Sequence, residues 1–454
     1  MCVSDHIVNA PVLVTSDSNN TLWTNAVWDP HTGTSLMTYK GGGTAENRTL
    51  AFVGNDYLAA VEKTKPVLHV WPLNSYQTVQ GIRFILPGKA TAFAVSRDGS
   101  FIIAGIEEKI YLWQTASGNL LTIISKHYQK LAMLKFTPDG RYFVSASEDG
   151  MVMVWSLATV SAHPEVDLVS QMSAGQHDPV YIFSNHSLPV TDLYISKTGM
   201  HGRLCTVSSD RTCKIYDLSS GELLLNLVFD AALSSVTMDV LELNIFVGTT
   251  EGKIHQFSLT NPPRDRNVLV NTEVNCPTFS SHTKAVTCLS ASLDGETLMS
   301  GSNDEKVILW HIPSKQPVRI IRHKGPITNA FFTVNYPAIF KQEFSPSIIL
   351  HSLERTLEQH AEEFTEMEVL MNKKMSFWPE PHGEVVDNLS IKEMGDEFKS
   401  KEEGLLAELD RLKAINSNIY KMAIQKSLDS VPLSANGTPG KNKKKKKKKQ
   451  RSNE

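Results

Sequence analysis

Cysteine is scarce in this chain: five in 454 residues, at positions 2, 205, 213, 276 and 288, with no Cys-x-x-Cys pair among them. An odd number leaves one unbridged if the others pair. The pattern therefore reads as reduced thiols in a cytosolic or nuclear protein, and a disulfide framework or structural zinc site is not expected. Long apolar runs are also missing: nothing approaches the ~18 consecutive residues of a membrane span. The N-terminus, MCVSDHIVNAPVLV, has no basic stretch ahead of an apolar one, so no secretory signal is expected. The sequence lacks H-E-x-x-H, G-x-S-x-G, G-x-x-x-x-G-K-[ST] and G-x-G-x-x-G. Gly41, Gly42 and Gly43 follow a strand pattern, but no helix start comes next to cradle a phosphate. The expectation is no enzyme, no cofactor and no metal.

What is present is enough to build a core, with 41% hydrophobic and 20% charged residues. Charge is unevenly spread. The formal total is −3, yet the last fourteen residues, KNKKKKKKKQRSNE, carry +8 and leave −11 on residues 1–440. Lys441, Lys443, Lys444, Lys445, Lys446, Lys447, Lys448 and Lys449 repel one another and cannot pack, so this tail is expected to be disordered. It reads as a nuclear or nucleolar address, a weak salt-sensitive grip on RNA, or a solubilising tail without a partner. A folded nucleic-acid-binding domain would instead carry its basic face on the body.

The body repeats. An aromatic residue closes a short β-branched or apolar run seven times, at Trp28, Trp71, Trp113, Trp155, Tyr216, Phe257 and Trp310. The spacings are 43, 42, 42, 61, 41 and 53, and four of the six match the ~40–45-residue period of four-stranded propeller blades. Asp-Gly turn signals (SRDG at 96–99, TPDG at 137–140, SLDG at 292–295) precede several of these anchors. Three repeats add a more specific constellation. His127, Ser145, Asp149 and Trp155 share their spacings with His282, Ser300, Asp304 and Trp310, and His186, Thr206, Asp210 and Tyr216 differ only by two extra residues after the histidine. This resembles the structural tetrad of WD-repeat blades, in which an imidazole bonds to both a carboxylate and a hydroxyl and the hydroxyl reaches an indole. A nucleophile is needed in one place only, so a trio repeated three times at fixed positions reads as structural rather than catalytic. The other anchors depart from the constellation: at the corresponding positions Trp113 is preceded by Glu107 and Ile103, and Phe257 by Glu251 and Val247. Apolar packing alone is expected to hold those two.

The ends of the repeat region predict how the ring closes. GPITNAFFTV (325–334) is an inner strand with nothing after it, whereas PVLVTSD, WTNAVWD and SLMTYK near the N-terminus are three strands with no inner strand before them. Joined, they complete a seventh blade and remove the free sheet edges. The expected fold is thus all-β, a seven-bladed WD-repeat β-propeller over 1–335 closed by N- and C-terminal strands. The two long spacings leave inserts near 158–185 and 261–281, read as plain loops or as partner contacts.

Beyond the ring the pattern turns helical. Residues 336–386 read as a helical linker, with Leu353, Leu357, Phe364, Met367 and Met371 at helical spacing and a breaker, FWPEPHG, at 377–383. Within 387–428, Ile391, Phe398, Leu405, Leu412 and Ile419 repeat every seven residues, with Leu409, Asn416 and Ala423 at the alternating positions. This is a short coiled coil with one polar seam residue, of the kind that sets a dimer register, or an amphipathic helix lying on the propeller or a partner. Residues 429–454 form the basic tail.

Longer words carry a family resemblance: VWDPHTGTSLMTYKGG (27–42), SGNLLTIISKHYQ (117–129), HSLPVTDL (186–193), SSGELLLNLVFD (219–230), VTMD (236–239), SGSNDEKVILW (300–310), KGPITNA (324–330) and LLAELDRLKAINSNIY (405–420). The chain resembles the WD repeat-containing protein 18 family, with its fungal counterpart in the rixosome, or Rix complex, of ribosome assembly. The resemblance implies a non-catalytic scaffold that joins a helical-repeat platform protein and a second helical partner. It further implies action on precursors of the large ribosomal subunit (pre-60S), through internal transcribed spacer removal and recruitment of the midasin ATPase. It also implies dimerisation through the C-terminal helix and a nuclear and nucleolar location with some cytoplasmic protein. A chromatin role in pre-replicative complex assembly is implied by the fungal members.

Overall fold

The computed structural model describes residues 11–19, 24–161, 178–261, 263–270, 276–340, 344 and 346–357. Seven sheets form, each running from an inner to an outer strand. Blade 1 consists of Ala51–Val53, Tyr57–Val61, Val67–Pro72 and Phe84–Ile85, and blade 2 of Ala90–Val95, Phe101–Ile106, Lys109–Gln114 and Leu120–Ile124. Blade 3 follows with Leu131–Phe136, Tyr142–Ser147, Val152–Ser156 and Tyr181–Phe183, and blade 4 with Val190–Ile195, Arg203–Ser208, Thr212–Asp217 and Leu223–Val228. Blade 5 is Leu233–Met238, Asn244–Thr249, Lys253–Ser258 and Thr278–Ser280, and blade 6 is Val286–Ala291, Thr297–Ser302, Lys306–His311 and Gln316–Arg322. Blade 7 is built from both ends of the ring: Ile327–Val334 is its inner strand, and Pro11–Asp17, Asn25–Trp28 and Ser35–Tyr39 complete it. Val14 faces Phe331 and Thr15 faces Ala330 across that junction. The seven-bladed, strand-closed propeller read from the repeats is the fold.

Each blade is sandwiched between two others, so its middle strands are buried on both faces and their sequences do not alternate. Tyr142–Ser147 is buried at every position but the first. The hydrophobic core lies between blades: Ile103 and Leu112 of blade 2 cluster with Phe143 and Trp155 of blade 3. The Asp-Gly signals fall at the turns between first and second strands, where Gly99, Gly140 and Gly295 take φ of 77°, 69° and 72°. These are left-handed values that a Cβ penalises.

Two features of the ring centre carry no sequence signal. First, most inner strands are bulged near their start. The hydroxyls of Thr91, Thr191, Ser234 and Thr287, which sit at bulges, each donate to the first-strand carbonyl of the following blade, namely Leu131, Leu233, Val286 and Ile327. Second, Arg48, in the connection from blade 7 to blade 1, projects its guanidinium onto the carbonyls of Thr191, Ser234 and Thr287. It thus bridges the inner strands of blades 4, 5 and 6, and stands 3.7 Å from Asp192. Asn329 of the closing strand fixes this connection by donating to the Glu46 carbonyl and accepting from Leu50 N.

Three expectations change. The inserts at 158–185 and 261–281 are not plain loops: they supply the outer strands of blades 3 and 5. The second also supplies a fifth strand, Asn267–Leu269, which lies parallel on Leu223–Val228 of blade 4. The helical pattern read from 351 is not followed in its described part, because residues 351–357 contain no helix and run along blades 1 and 2. Residues 358–386 of that linker, the heptad residues Phe398, Leu405, Leu409, Leu412, Asn416 and Ile419, and the lysine tail lie outside the described residues.

Candidate functional site

The three His–Ser/Thr–Asp constellations come together as continuous hydrogen-bonded chains. In blade 3, Trp155 Nε1 donates to Ser145 Oγ over 2.8 Å, Ser145 Oγ is 2.8 Å from His127 Nε2, and His127 Nδ1 is 3.2 Å from Asp149. An indole can only donate, so the serine accepts from it and turns its own O–H to Nε2, leaving Nδ1–H for the carboxylate. Blade 6 repeats this with Trp310, Ser300, His282 and Asp304 at 2.8, 2.7 and 3.0 Å. In blade 4, His186 is 2.8 Å from Thr206 and 3.0 Å from Asp210, and the Tyr216 hydroxyl bonds to Thr206 and accepts from Asn185 Nδ2.

Both ring nitrogens of each histidine are occupied and all three hydroxyls are buried, so none of Ser145, Thr206 and Ser300 is free to attack a substrate. Burial lowers the pKa of His127 and His282 against the opposing pull of Asp149 and Asp304, keeping the rings neutral. For Asp210, burial works upward. The hydrogen bonds from His186 and Thr212 outweigh it and hold the carboxyl well below the usual range. These groups are spent on tying the loop before each blade to the turn between its second and third strands.

A related set in blade 7 escapes a linear reading. Trp28 Nε1 donates to Thr15 Oγ1 over 2.7 Å, the His323 ring stands edge-on to Trp28 at 5.8 Å, and its Nδ1 is 3.8 Å from Asp17. The histidine belongs to one end of the ring and its partners to the other, so no fixed spacing links them.

The Trp113 blade is not held by apolar packing alone, which corrects the expectation for that anchor. Its indole donates to the backbone carbonyl of Glu354 over 2.7 Å. Trp71 in blade 1 uses the carbonyl of Lys40 at 2.8 Å. Phe257, which has no donor, packs in the cluster shared by blades 4 and 5.

Two clefts, of about 320 and 290 Å³, adjoin one another beside Ser35–Tyr39 and share Lys40 and Tyr76. Among the described residues no three His, Cys, Asp or Glu side chains form a set that could hold a metal ion. Cys205, Cys213, Cys276 and Cys288 are free and buried, and burial raises the pKa of each.

Comparison with known proteins agrees with this repeat geometry. The family model "WD domain, G-beta repeat" matches residues 118–156, 177–217 and 274–311, the three blades that hold the tetrads. The chain is 42% identical to WD repeat-containing protein 18 of Rattus norvegicus over 341 residues, covering 75% of this chain and 77% of the relative. The chain belongs to the WD repeat-containing protein 18 family. The Danio rerio member is 35% identical over 92% of this chain and 99% of its own length, so the similarity extends past the ring. A Yarrowia lipolytica protein named pre-rRNA-processing protein IPI3 is 31% identical over 65% of this chain and 69% of its own length. In this chain the tetrads of blades 3, 4 and 6 serve the ring's architecture.

Proposed function

We propose that this chain is a non-catalytic WD-repeat scaffold of precursor-rRNA processing, a subunit of a rixosome-type complex acting on the pre-60S particle. The carrying observation is the likeness, across 65% of the chain, to a protein named for pre-rRNA processing. The tetrads support the scaffold reading because they consume the chain's repeated His, Ser and Asp groups inside the ring. The partners are the helical-repeat platform protein and second helical subunit of that complex, the pre-60S particle and midasin. The heptad residues from Phe398 to Ile419 make a homodimer, and the lysine tail supplies a nuclear and nucleolar address with a weak RNA contact. No catalytic step is assigned to the chain.

The test is depletion of the protein followed by probing of precursor rRNA with spacer-specific probes. Accumulation of internal-transcribed-spacer precursors, rescued by the wild-type chain, is the expected result. Unchanged precursor levels under full depletion would reject the proposal.

A further inference from the structure

Phe344 and residues 346–357 lie as a strap across blades 1 and 2, along the side that carries the turns between first and second strands. The Phe344 ring meets Tyr57 edge-on at 5.3 Å. Ser347 N donates to Asp56 Oδ2 over 2.6 Å, with its hydroxyl on the same oxygen, and Tyr57 OH donates to the Ile348 carbonyl over 3.2 Å. Ile348 Cδ1 lies over two glycines. A Cβ on Gly54 or Gly99 would come within 2.7 or 2.5 Å of it, and at Gly99 also within 2.7 Å of the Gly54 backbone nitrogen; the positive φ of both positions favours glycine there. Leu350 and Leu353 are buried in the cluster shared by blades 1 and 2, beside Trp113 and Leu120. At the far end, Glu354 N donates to the Gly118 carbonyl, Leu120 N donates to Glu354 Oε2 at 3.0 Å, and the Trp113 indole donates to the Glu354 carbonyl.

This is how a domain recognises an extended peptide. Main-chain groups are read by fixed donors and acceptors, aliphatic side chains enter defined sites, and one acidic residue meets a backbone N–H. We infer that this face is a linear-motif groove. It selects an aliphatic residue, a second two positions on, and a leucine three further followed by glutamate, as in Ile348, Leu350, Leu353 and Glu354. Residues 346–354 are its ligand in cis, and a partner-protein segment of that pattern docks there by displacing them. The occupant is specified by the cis ligand, and the inference stands on the strap geometry independently of the rRNA-processing reading. Because the cis segment is tethered, it acts at an effective concentration in the millimolar range, so a free competitor faces a large handicap.

The test uses the full chain and a fluorescent peptide of residues 344–357. In a chain carrying Leu350→Asp and Leu353→Asp the strap is released, and the peptide should bind at least tenfold more tightly than to wild type. The same peptide carrying both aspartates should not bind. A released chain that keeps its near-UV circular dichroism yet binds no peptide overturns the inference. If the variant does not fold, hydrogen exchange on the wild-type chain decides. Exchange of the Leu120 and Glu354 amides at least tenfold faster than Thr122 shows a strap that opens locally and supports exchange of occupants. Exchange of all three only through global unfolding makes the strap a permanent part of blade 2 and refutes it.

Discussion

Replacing Ser145 by alanine tests the tetrad as a stabilising network. The serine hydroxyl is fully buried and touches two groups at once, accepting from the Trp155 indole at 2.8 Å and donating to His127 Nε2 at 2.8 Å. Alanine leaves a buried N–H and a buried ring nitrogen without partners, each at about 1–3 kcal/mol, so the expected loss is about 2–5 kcal/mol. With an unfolding entropy of about 2.1 cal/mol/K per residue over a ring of this size, that loss lowers the melting temperature by roughly 3–7 °C. Ser145→Thr, the residue that does this work at Thr206 in blade 4, should cost less than about 1 kcal/mol. A double-mutant cycle sharpens the test. Once Trp155→Phe has removed the indole donor, Ser145→Ala should cost about 1–2 kcal/mol less than alone. Thermal and urea unfolding followed by tryptophan fluorescence and circular dichroism would read all four proteins. A loss under about 1 kcal/mol for Ser145→Ala, or strictly additive losses, would refute the network.

Other consequences follow from the same geometry. Arg48→Met removes the charged bridge between three blades and leaves Asp192 without its guanidinium, so the urea midpoint should fall by the equivalent of about 3 kcal/mol; a shift under about 1 kcal/mol would contradict that role. Acidification should weaken the ring: the folded pKa values of His127 and His282 lie below the ordinary ~6.5, so the unfolded chain takes up protons the folded one refuses and stability falls as pH drops below about 6.5. Asp210 and Asp304, held below their ordinary value, add a second loss only once pH falls below about 4, and a urea midpoint flat from pH 8 to 5 would exclude the histidine contribution. A chain ending at 335 should be less stable than one ending at 357 by about 5 kcal/mol, since it uncovers two leucine sites and orphans the Trp113 indole; equal melting curves would show that the strap does not support the ring. Charged residues at Leu405, Leu412 and Ile419 should give a folded monomer by light scattering, and an unchanged dimer would reject the coiled-coil assignment.

Legibility in the sequence tracked locality. Each anchor, its Asp-Gly turn and the complete tetrads lie within about forty residues, so a fixed spacing exposes them; the seventh blade was readable because each chain end carried the strands the other lacked. What escaped the reading depends on partners far apart in sequence or on backbone atoms. His323 and Trp28 meet only through ring closure. Trp113 finds the carbonyl of Glu354, and any residue type offers a carbonyl, so nothing in the sequence could mark it. Arg48 likewise reads three main-chain oxygens. The outer strands inside the two inserts are three residues each, too short for a period to show.

The most direct test of the central claim is sedimentation of a nuclear extract through a density gradient, with this chain and its co-purifying proteins identified in each fraction. A scaffold of precursor-rRNA processing should migrate with large-subunit precursors and helical-repeat partners. Confinement to light fractions with chromatin proteins, and absence from the precursor peak, would contradict it.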